Sequence, residues 1–165
     1  MAAWEFQTLQ NIADRRNYHH FISMQNYYNL IYREEEREML PYCADTGVGL
    51  IPWSPLARGV LARPWTSRET KREQTDIFLK MQIRAQETDV DRSIVGRVEE
   101  VARRKGISMA AVATAWSLSK GCCPVLGLNS KQRIDEACEN VRIRLTEDDV
   151  KFLEDAYLPK PVTGY

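Results

Sequence analysis

Gly47-Val48-Gly49-Leu50-Ile51-Pro52-Trp53-Ser54-Pro55-Leu56-Ala57-Arg58-Gly59 reads as a buried strand that runs straight into a loop. Val48, Leu50 and Ile51 are strand formers. Pro52 has no N–H to give a sheet ladder, so pairing ends near it. Trp53 then sits at the carboxyl end of the strand. Ser54 and Pro55 turn the chain, and Gly59 permits a close backbone approach. In parallel α/β folds, chemistry collects at that end of a strand. The same spacing also fits a core strand followed by a plain turn.

Helices and short strands alternate on either side of this stretch. Residues 4–16 predict a helix, with Phe6, Leu9, Ile12 and Ala13 at helical spacing. Phe21–Gln25 predicts a strand. Arg33–Asp45 predicts a helix that Pro41 kinks or restarts and Gly47 stops. Val48–Trp53 is the second strand. Ala62–Thr88 is long, charged and aperiodic, as functional or mobile loops are. Asp91 is the expected cap of a helix with apolar face Ile94, Val98, Val101 and Ala102, closed by Gly106. Ser108 caps a helix containing Val112, Ala115, Trp116 and Leu118. Cys123–Leu126 is the third strand. Ser130 starts a helix containing Ile134, Ala137 and Cys138. Thr146 opens the last helix, with Asp149 completing a capping box.

Composition describes one soluble domain. The 165 residues carry 23 Lys plus Arg and 23 Asp plus Glu, so no net charge draws the chain to nucleic acid or an anionic membrane. No apolar run reaches the length of a membrane span, and the start does not read as a secretion signal. Cys43, Cys122, Cys123 and Cys138 have no metal-ligand spacing and no disulfide-dense pattern, so reduced thiols in the cytoplasm are expected, and no metal. Cys122 and Cys123 are expected to flank or enter a buried strand.

Three ordered segments carry a family resemblance. Ile51-Pro52-Trp53-Ser54-Pro55-Leu56-Ala57-Arg58-Gly59 resembles the seventh strand and following loop of the aldo-keto reductases, NADP(H)-dependent (β/α)8 barrels. Phe21-Ile22-Ser23-Met24-Gln25-Asn26-Tyr27-Tyr28-Asn29-Leu30 resembles the sixth strand. Pro124-Val125-Leu126-Gly127-Leu128-Asn129-Ser130-Lys131-Gln132-Arg133-Ile134 resembles the eighth strand and the adenosine-phosphate loop. Leu153 through Tyr165 resembles the carboxyl terminus of a microbial and fungal branch. The resemblance covers essentially the whole chain. It implies an α/β fold: a partial TIM barrel of about three parallel strands with outer helices, in a single truncated domain over residues 1–165. Met1 to Phe6 resembles the segment just after the fifth strand. A complete barrel takes about 250 residues, and the family's catalytic Asp, Tyr, Lys and His lie in the strands without a counterpart. The catalytic residues are therefore unknown.

The same resemblance implies a cofactor site for NADP(H). Gln25 matches the amide that holds the nicotinamide carboxamide, or else ties down a neighbouring loop. Trp53 matches the aromatic that stacks on the nicotinamide, or else fills core. Ser54, Leu56 and Gly59 match the loop over the pyrophosphate, with Leu61 and Arg63 less securely placed. Gly127, Asn129, Ser130 and Arg133 match the adenosine-phosphate site, with Glu136 in reach of adenine. Ser130 stands at a helix start, where free N–H groups favour an anion, and Arg133 offers a fork of N–H donors. The alternative for this segment is an ordinary capped helix. His19 and His20 precede the first strand and read as a surface turn. Tyr27, Tyr28 and Tyr32 lie beyond Gln25 as acids, ligand contacts or packing. Asp76 and Asp91 serve a site only if the long loop folds over it.

Three functions follow: the nicotinamide-binding half of a carbonyl/alcohol oxidoreductase completed by a missing half, a divergent non-redox isomerase, cyclase or lyase of a biosynthetic pathway, or a non-catalytic interaction module. The partners expected are a small-molecule ligand and either a second copy or a complementing half-barrel. Open strand edges, and barrel-lining faces including Val48, Leu50 and Val125 or Leu126, are expected to be bare.

Overall fold

Three chain segments run parallel, with helices packed on one side of them. The structure is a computed structural model that describes residues 1–67 and 69–163. Helix α1 (Ala3–Arg16) leads into strand β1 (Ser23–Met24), and α2 (Met39–Thr46) into β2 (Gly49–Leu50). Helices α3 (Lys71–Thr75), α4 (Asp89–Lys105), α5 (Met109–Ser119), α6 (Lys131–Asn140) and α7 (Glu147–Glu154) follow.

β1 pairs with β2 in register Ser23↔Gly49 and Met24↔Leu50. Pairing continues as single bridges, Tyr27↔Trp53, Leu50↔Cys122 and Trp53↔Val125, all parallel. The third segment, expected as a strand over Cys123–Leu126, is thus reduced to bridge pairs. It is tied on by Cys123 N–H to Leu50 O (2.8 Å) and Val125 N–H to Pro52 O (2.9 Å). Pro52 has lost its donor but keeps its acceptor, so the ladder reaches one residue past it.

The two faces alternate as a pleat demands. Val48, Leu50, Met24 and Cys122 are buried against the helices. Gly49 and Val125 are exposed on the other face. The expectation that Val48 and Leu50 line a bare barrel interior is therefore corrected by one residue of register. Of the two cysteines expected to flank or enter a buried strand, Cys122 is buried and Cys123 is exposed.

The core is built by α4 and α5. Ile94, Val95, Val98 and Val101 are fully buried on α4, and α5 is buried on nearly every side, with Trp116 at its centre. Tyr28, Leu30 and Leu153 pack into the same core. The caps of α5, α6 and α7 are Ser108, Ser130 and Thr146. The cap of α4 is Thr88, not Asp91. Asp91 takes the third helical position and accepts from Thr88 N–H at 3.0 Å. Arg33–Asp45 splits into a 3₁₀ turn, Glu34–Arg37, and α2, where Pro41 stands in the first turn and no N–H is missed.

Two expectations are overturned by tertiary contacts. On α1, Phe6 and Ala13 are buried, but Leu9 and Ile12 are 37% and 45% exposed. Gln10 is buried instead, because its amide pairs with both the N–H and the C=O of Phe21 at 2.9 Å. Residues 62–88 are not a bare loop. Besides α3 they contain a π-helical turn, Leu79–Ile83, and a 3₁₀ turn, Arg84–Gln86, and Leu79 and Ile83 reach the core.

Candidate functional site

The loop after β2 forms one wall of a cleft of about 470 Å³. Ser54, Leu56, Arg58 and Gly59 line it. Ser54 shapes the loop twice. Its Oγ accepts from Arg58 N–H at 3.0 Å and its carbonyl from Ala57 N–H at 2.9 Å. Gly59 N–H closes the next turn on Leu56 O at 2.8 Å. Ser54 (φ 55°), Ala57 (φ 46°) and Arg58 (φ 55°) all lie in the left-handed region, as does Gly59 at 99°. Each non-glycine there costs on the order of 1 kcal/mol or more, a strain that collects at ligand sites. A methyl on Gly59 would meet Arg63 Nη2 at 3.4 Å, so Arg63 packs close over the glycine.

The opposite wall comes from the third parallel segment and α6. Gly127, Arg133, Glu136 and Asn140 line it, and α5 contributes Ser108 and Thr114 to the floor. Ser130 caps α6, its Oγ accepting from Arg133 N–H at 3.4 Å. Arg133 Nη1 donates to Asn129 Oδ1 at 2.9 Å, which holds the guanidinium across the first turn. Glu136 accepts from Gln132 at 2.9 Å. Three arginines, Arg58, Arg63 and Arg133, and one carboxylate, Glu136, line it, and Arg58 also bonds the Asp76 carboxylate behind it. The cleft is suited to an anion.

Trp53 lies outside the cleft lining. It borders a second pocket, of about 100 Å³, with Tyr27, Tyr32, Ile31, Lys160 and Thr163. Tyr27 stacks on Trp53 with centroids 4.5 Å apart, and Tyr32 follows at 4.8 Å from Tyr27. Burial pushes the Tyr27 hydroxyl pKa up, against the pull of Asn29 and Arg58, so this ring stays neutral.

The expected site residues thus divide. Ser54, Leu56, Gly59, Gly127, Arg133 and Glu136 meet in one cleft, with Arg63 beside them. Asn129 and Ser130 support the cleft from the start of α6. Gln25 is exposed beyond β1 and borders neither pocket. Leu61 is a fully buried core residue. Tyr28 turns away from Tyr27 into the core, where its hydroxyl donates to Glu36 Oε1 at 2.6 Å. Asp91 is buried in the first turn of α4 and accepts from Lys160 Nζ at 2.6 Å. Asp76 does reach the cleft, through Arg58. His20 is exposed and lies 2.9 Å from Asp14. Cys122 is buried, and burial, then Cys123, push its thiol up to about 11.

Sequence reasoning gave no role to Arg58 or to the tail. Arg58 lay inside the loop, and its charge beside Gly59 was the available signal. Lys160, Pro161 and Thr163 border the aromatic pocket. The tail is held by Lys160 N–H on Glu34 Oε1 (2.7 Å) and Thr163 N–H on Tyr32 Oη (2.9 Å). No periodic pattern announces such a strap.

Among the described residues no helix is long and apolar enough to cross a membrane. Comparison with known proteins adds the lineage. The model of the aldo/keto reductase family matches residues 2–157. Versiconal hemiacetal acetate reductase of Aspergillus parasiticus is 61% identical over 163 residues, covering 98% of this chain and 48% of that protein. A Schizosaccharomyces pombe protein provisionally named an aryl-alcohol dehydrogenase is 50% identical over 166 residues, covering 99% of this chain and 50% of its own length. An aldo-keto reductase of Fusarium vanettenii is 43% identical over 165 residues, covering 100% and 44%. The chain spans about half the length of the curated relatives it matches. A family model matched from Ala2 to Tyr157, over the same loops that meet in the cleft, shows that the chain belongs to the aldo/keto reductase family.

Proposed function

We propose that this chain carries the cofactor-binding half of an NADP(H)-dependent carbonyl/alcohol oxidoreductase, built as about three strands of a TIM barrel. The observation that carries the reading is the convergence of the Ser54–Gly59 loop and the Gly127–Glu136 segment on one arginine-rich cleft. The donor set fits a dinucleotide phosphate. Arg58 and Arg63 stand over the strained loop, where a pyrophosphate belongs. Arg133 and the capped start of α6 stand where a 2′-phosphate belongs. Bound there, the cofactor supplies the hydride for a carbonyl carbon. This chain's residues bind and orient it, and Trp53 with Tyr27 and Tyr32 offers an apolar, aromatic wall for the reacting end. The Asp, Tyr, Lys and His of the family's chemistry come from the remaining barrel strands. The names of the relatives, a hemiacetal acetate reductase and an aryl-alcohol dehydrogenase, suggest an aryl carbonyl or its alcohol as substrate class.

The partner we propose is a second copy or a complementing half-barrel. Phe21, Ile22 and Val125 support it, being 51%, 85% and 48% exposed on the two edges of the parallel segments. A reducing cytoplasm agrees with exposed thiols at Cys123 and Cys138. A second reading, a non-redox enzyme acting on an aromatic intermediate, rests on the small pocket around Tyr27, Tyr32 and Trp53.

Titration with NADPH and NADH, followed by tryptophan fluorescence, separates these. The cofactor reading expects NADPH to bind and Arg133→Ala to weaken NADPH more than NADH, because Arg133 meets the distinguishing phosphate. Equal weakening for both, or no binding, removes the assignment and leaves the aromatic pocket as the basis for function.

A further inference from the structure

Glu34 is buried, yet its carboxylate takes three donors. Its Oε1 accepts from the Tyr157 hydroxyl at 2.6 Å and from Lys160 N–H at 2.7 Å. Its Oε2 accepts from Arg37 Nε at 2.7 Å. The Tyr157 hydroxyl accepts in turn from Arg33 N–H at 2.9 Å. The 3₁₀ turn after Tyr32 thus grips the chain where α7 gives way to the tail. We propose that Glu34 is a positioning residue for the aromatic pocket: acting through Tyr157 and Lys160, it holds the tail across the pocket from Trp53 and so limits the size of the aryl group that enters. The inference rests on the reading of that pocket as the seat of the reacting end, and adds the residue that sets its width.

Glu34 does not border the aromatic pocket; the tail does, through Lys160, Pro161 and Thr163. The pocket holds about 100 Å³, less than the roughly 150 Å³ of a cavity that takes benzene. A ring therefore enters fully only if a wall gives way. The aromatic wall is the stiffer one. Tyr27 stacks on Trp53 at 4.5 Å, and Trp53 is bridged in parallel to Tyr27 and to Val125. Residues 157–163 belong to no helix or strand, so polar contacts decide where they lie.

The contacts that fix the tail differ in kind. Lys160 Nζ donates to Asp91 Oδ1 at 2.6 Å, but from the end of a flexible four-carbon stem, so the backbone can shift while the pair persists. The Tyr32 hydroxyl accepts from Thr163 N–H at 2.9 Å and donates to Thr163 O at 3.3 Å. That tie lies further along the tail, on a ring that itself lines the pocket. Glu34 takes hold of the backbone at Lys160, from outside the pocket. Its bond to Arg37 matters least, because the Arg37 side chain is 59% exposed. The latch is thus an acceptor and not a charge, and an amide oxygen can replace it.

The test compares the wild-type chain with Glu34→Ala, Glu34→Gln and Arg37→Ala. Hydrogen exchange at the Lys160 and Thr163 amides reads the tail. Ligand-observed NMR titration with benzyl alcohol and 2-naphthalenemethanol, one ring and two, reads the pocket. Glu34→Ala is expected to speed exchange at Lys160 about tenfold, the loss of one charge-assisted bond. It is also expected to raise the ratio of two-ring to one-ring affinity about tenfold. Glu34→Gln and Arg37→Ala are expected to stay within about twofold of wild type in both readouts, a rescue that a general loss of stability would not give. If Glu34→Gln shifts the ratio as Glu34→Ala does, or if Glu34→Ala frees the tail and leaves the ratio unchanged, Glu34 has a structural role alone and the inference is wrong. Should Glu34→Ala not fold, Tyr157→Phe withdraws one of the two donors on Oε1 and is expected to move the ratio the same way; no movement there overturns the inference equally. Binding of neither probe to any of these proteins overturns the reading of the pocket together with the inference, whereas probes that bind all of them in one ratio overturn the inference alone.

Discussion

Replacing Glu35 with Gln should make the protein more stable at neutral pH. Glu35 is 6% exposed, and its one hydrogen bond among the described residues is a long one from Asn26 Nδ2 at 3.4 Å. Asn26 Oδ1, on the same amide, is buried and has no partner. A carboxylate can only accept, so it cannot serve that oxygen. Gln accepts from Asn26 Nδ2 and donates to Oδ1 at once, as one amide pairs with another. An orphaned buried acceptor costs about 1–3 kcal/mol. Relief of one, with the present bond too long to be worth much, gives about 1.5 kcal/mol. In a domain of this size that raises Tm by roughly 3–6 °C.

The pH dependence identifies the cause. Burial pushes the Glu35 carboxyl above its usual range, against the Asn26 bond and the charge of the amino terminus. Cys43 also faces it, its own thiol pushed up by burial and then by Glu35. A raised carboxyl destabilises the fold while it is charged, above its folded pKa. That cost disappears as pH falls from the folded pKa toward the unfolded one, where Glu35 is protonated in the native state. The advantage of Gln should therefore be largest near neutrality and shrink toward pH 4. Urea denaturation of both proteins at several pH values measures it. A variant less stable than wild type at pH 7, or a gap that does not change with pH, refutes the reasoning.

Other expectations are simpler. Lys160→Met removes the partner of Asp91, whose side chain is 2% exposed, and should cost roughly 2–4 kcal/mol; a loss in urea midpoint equivalent to under about 0.5 kcal/mol would place the pair among neutral surface contacts. Acid should destabilise the fold: although burial acts upward on Glu34, Glu36 and Asp149, bonds from Lys160 N–H and Tyr157, from Arg33 and Tyr28, and from Lys105 and Thr146 outweigh it and hold all three below the usual range. Their contribution is present at neutral pH and lost as pH falls through the lowered folded values, so urea midpoints flat from pH 6 to pH 3 contradict it. Light scattering should find the purified chain associated through an interface of roughly 2,000 Å² or more in total, and a stable monomer at micromolar concentration rules that out.

Local chemistry was legible in the sequence where one residue decides the local structure. Ser108, Ser130 and Thr146 cap their helices because a short hydroxyl needs only its own first turn to satisfy. Gly106 ends α4 in the left-handed region for an equally local reason. Strand lengths were not legible, since a ladder bond belongs to two segments and the expected Cys123–Leu126 strand has a neighbour on one edge alone among the described residues. Gln10, Tyr28 and the Lys160–Asp91 pair were missed for the same cause. Each is a polar group whose solvated default is overturned by a partner elsewhere, 69 residues away in the last case. The site shows both limits at once. Pro, Ser and Gly mark the loop after β2, and Gly59 is expected there for a close backbone approach. The structure puts Gly59 in the left-handed region and places Ser54, Ala57 and Arg58 there too, residues with no local reason to adopt it. A conformation so unfavourable to isolated side chains persists only if its surroundings enforce it. The Ser54 hydroxyl, the parallel bridge at Trp53 and the Asp76 carboxylate on Arg58 are those surroundings. Two of the three come from outside the loop, so the residues that shape this wall of the cleft are the ones a local reading cannot rank.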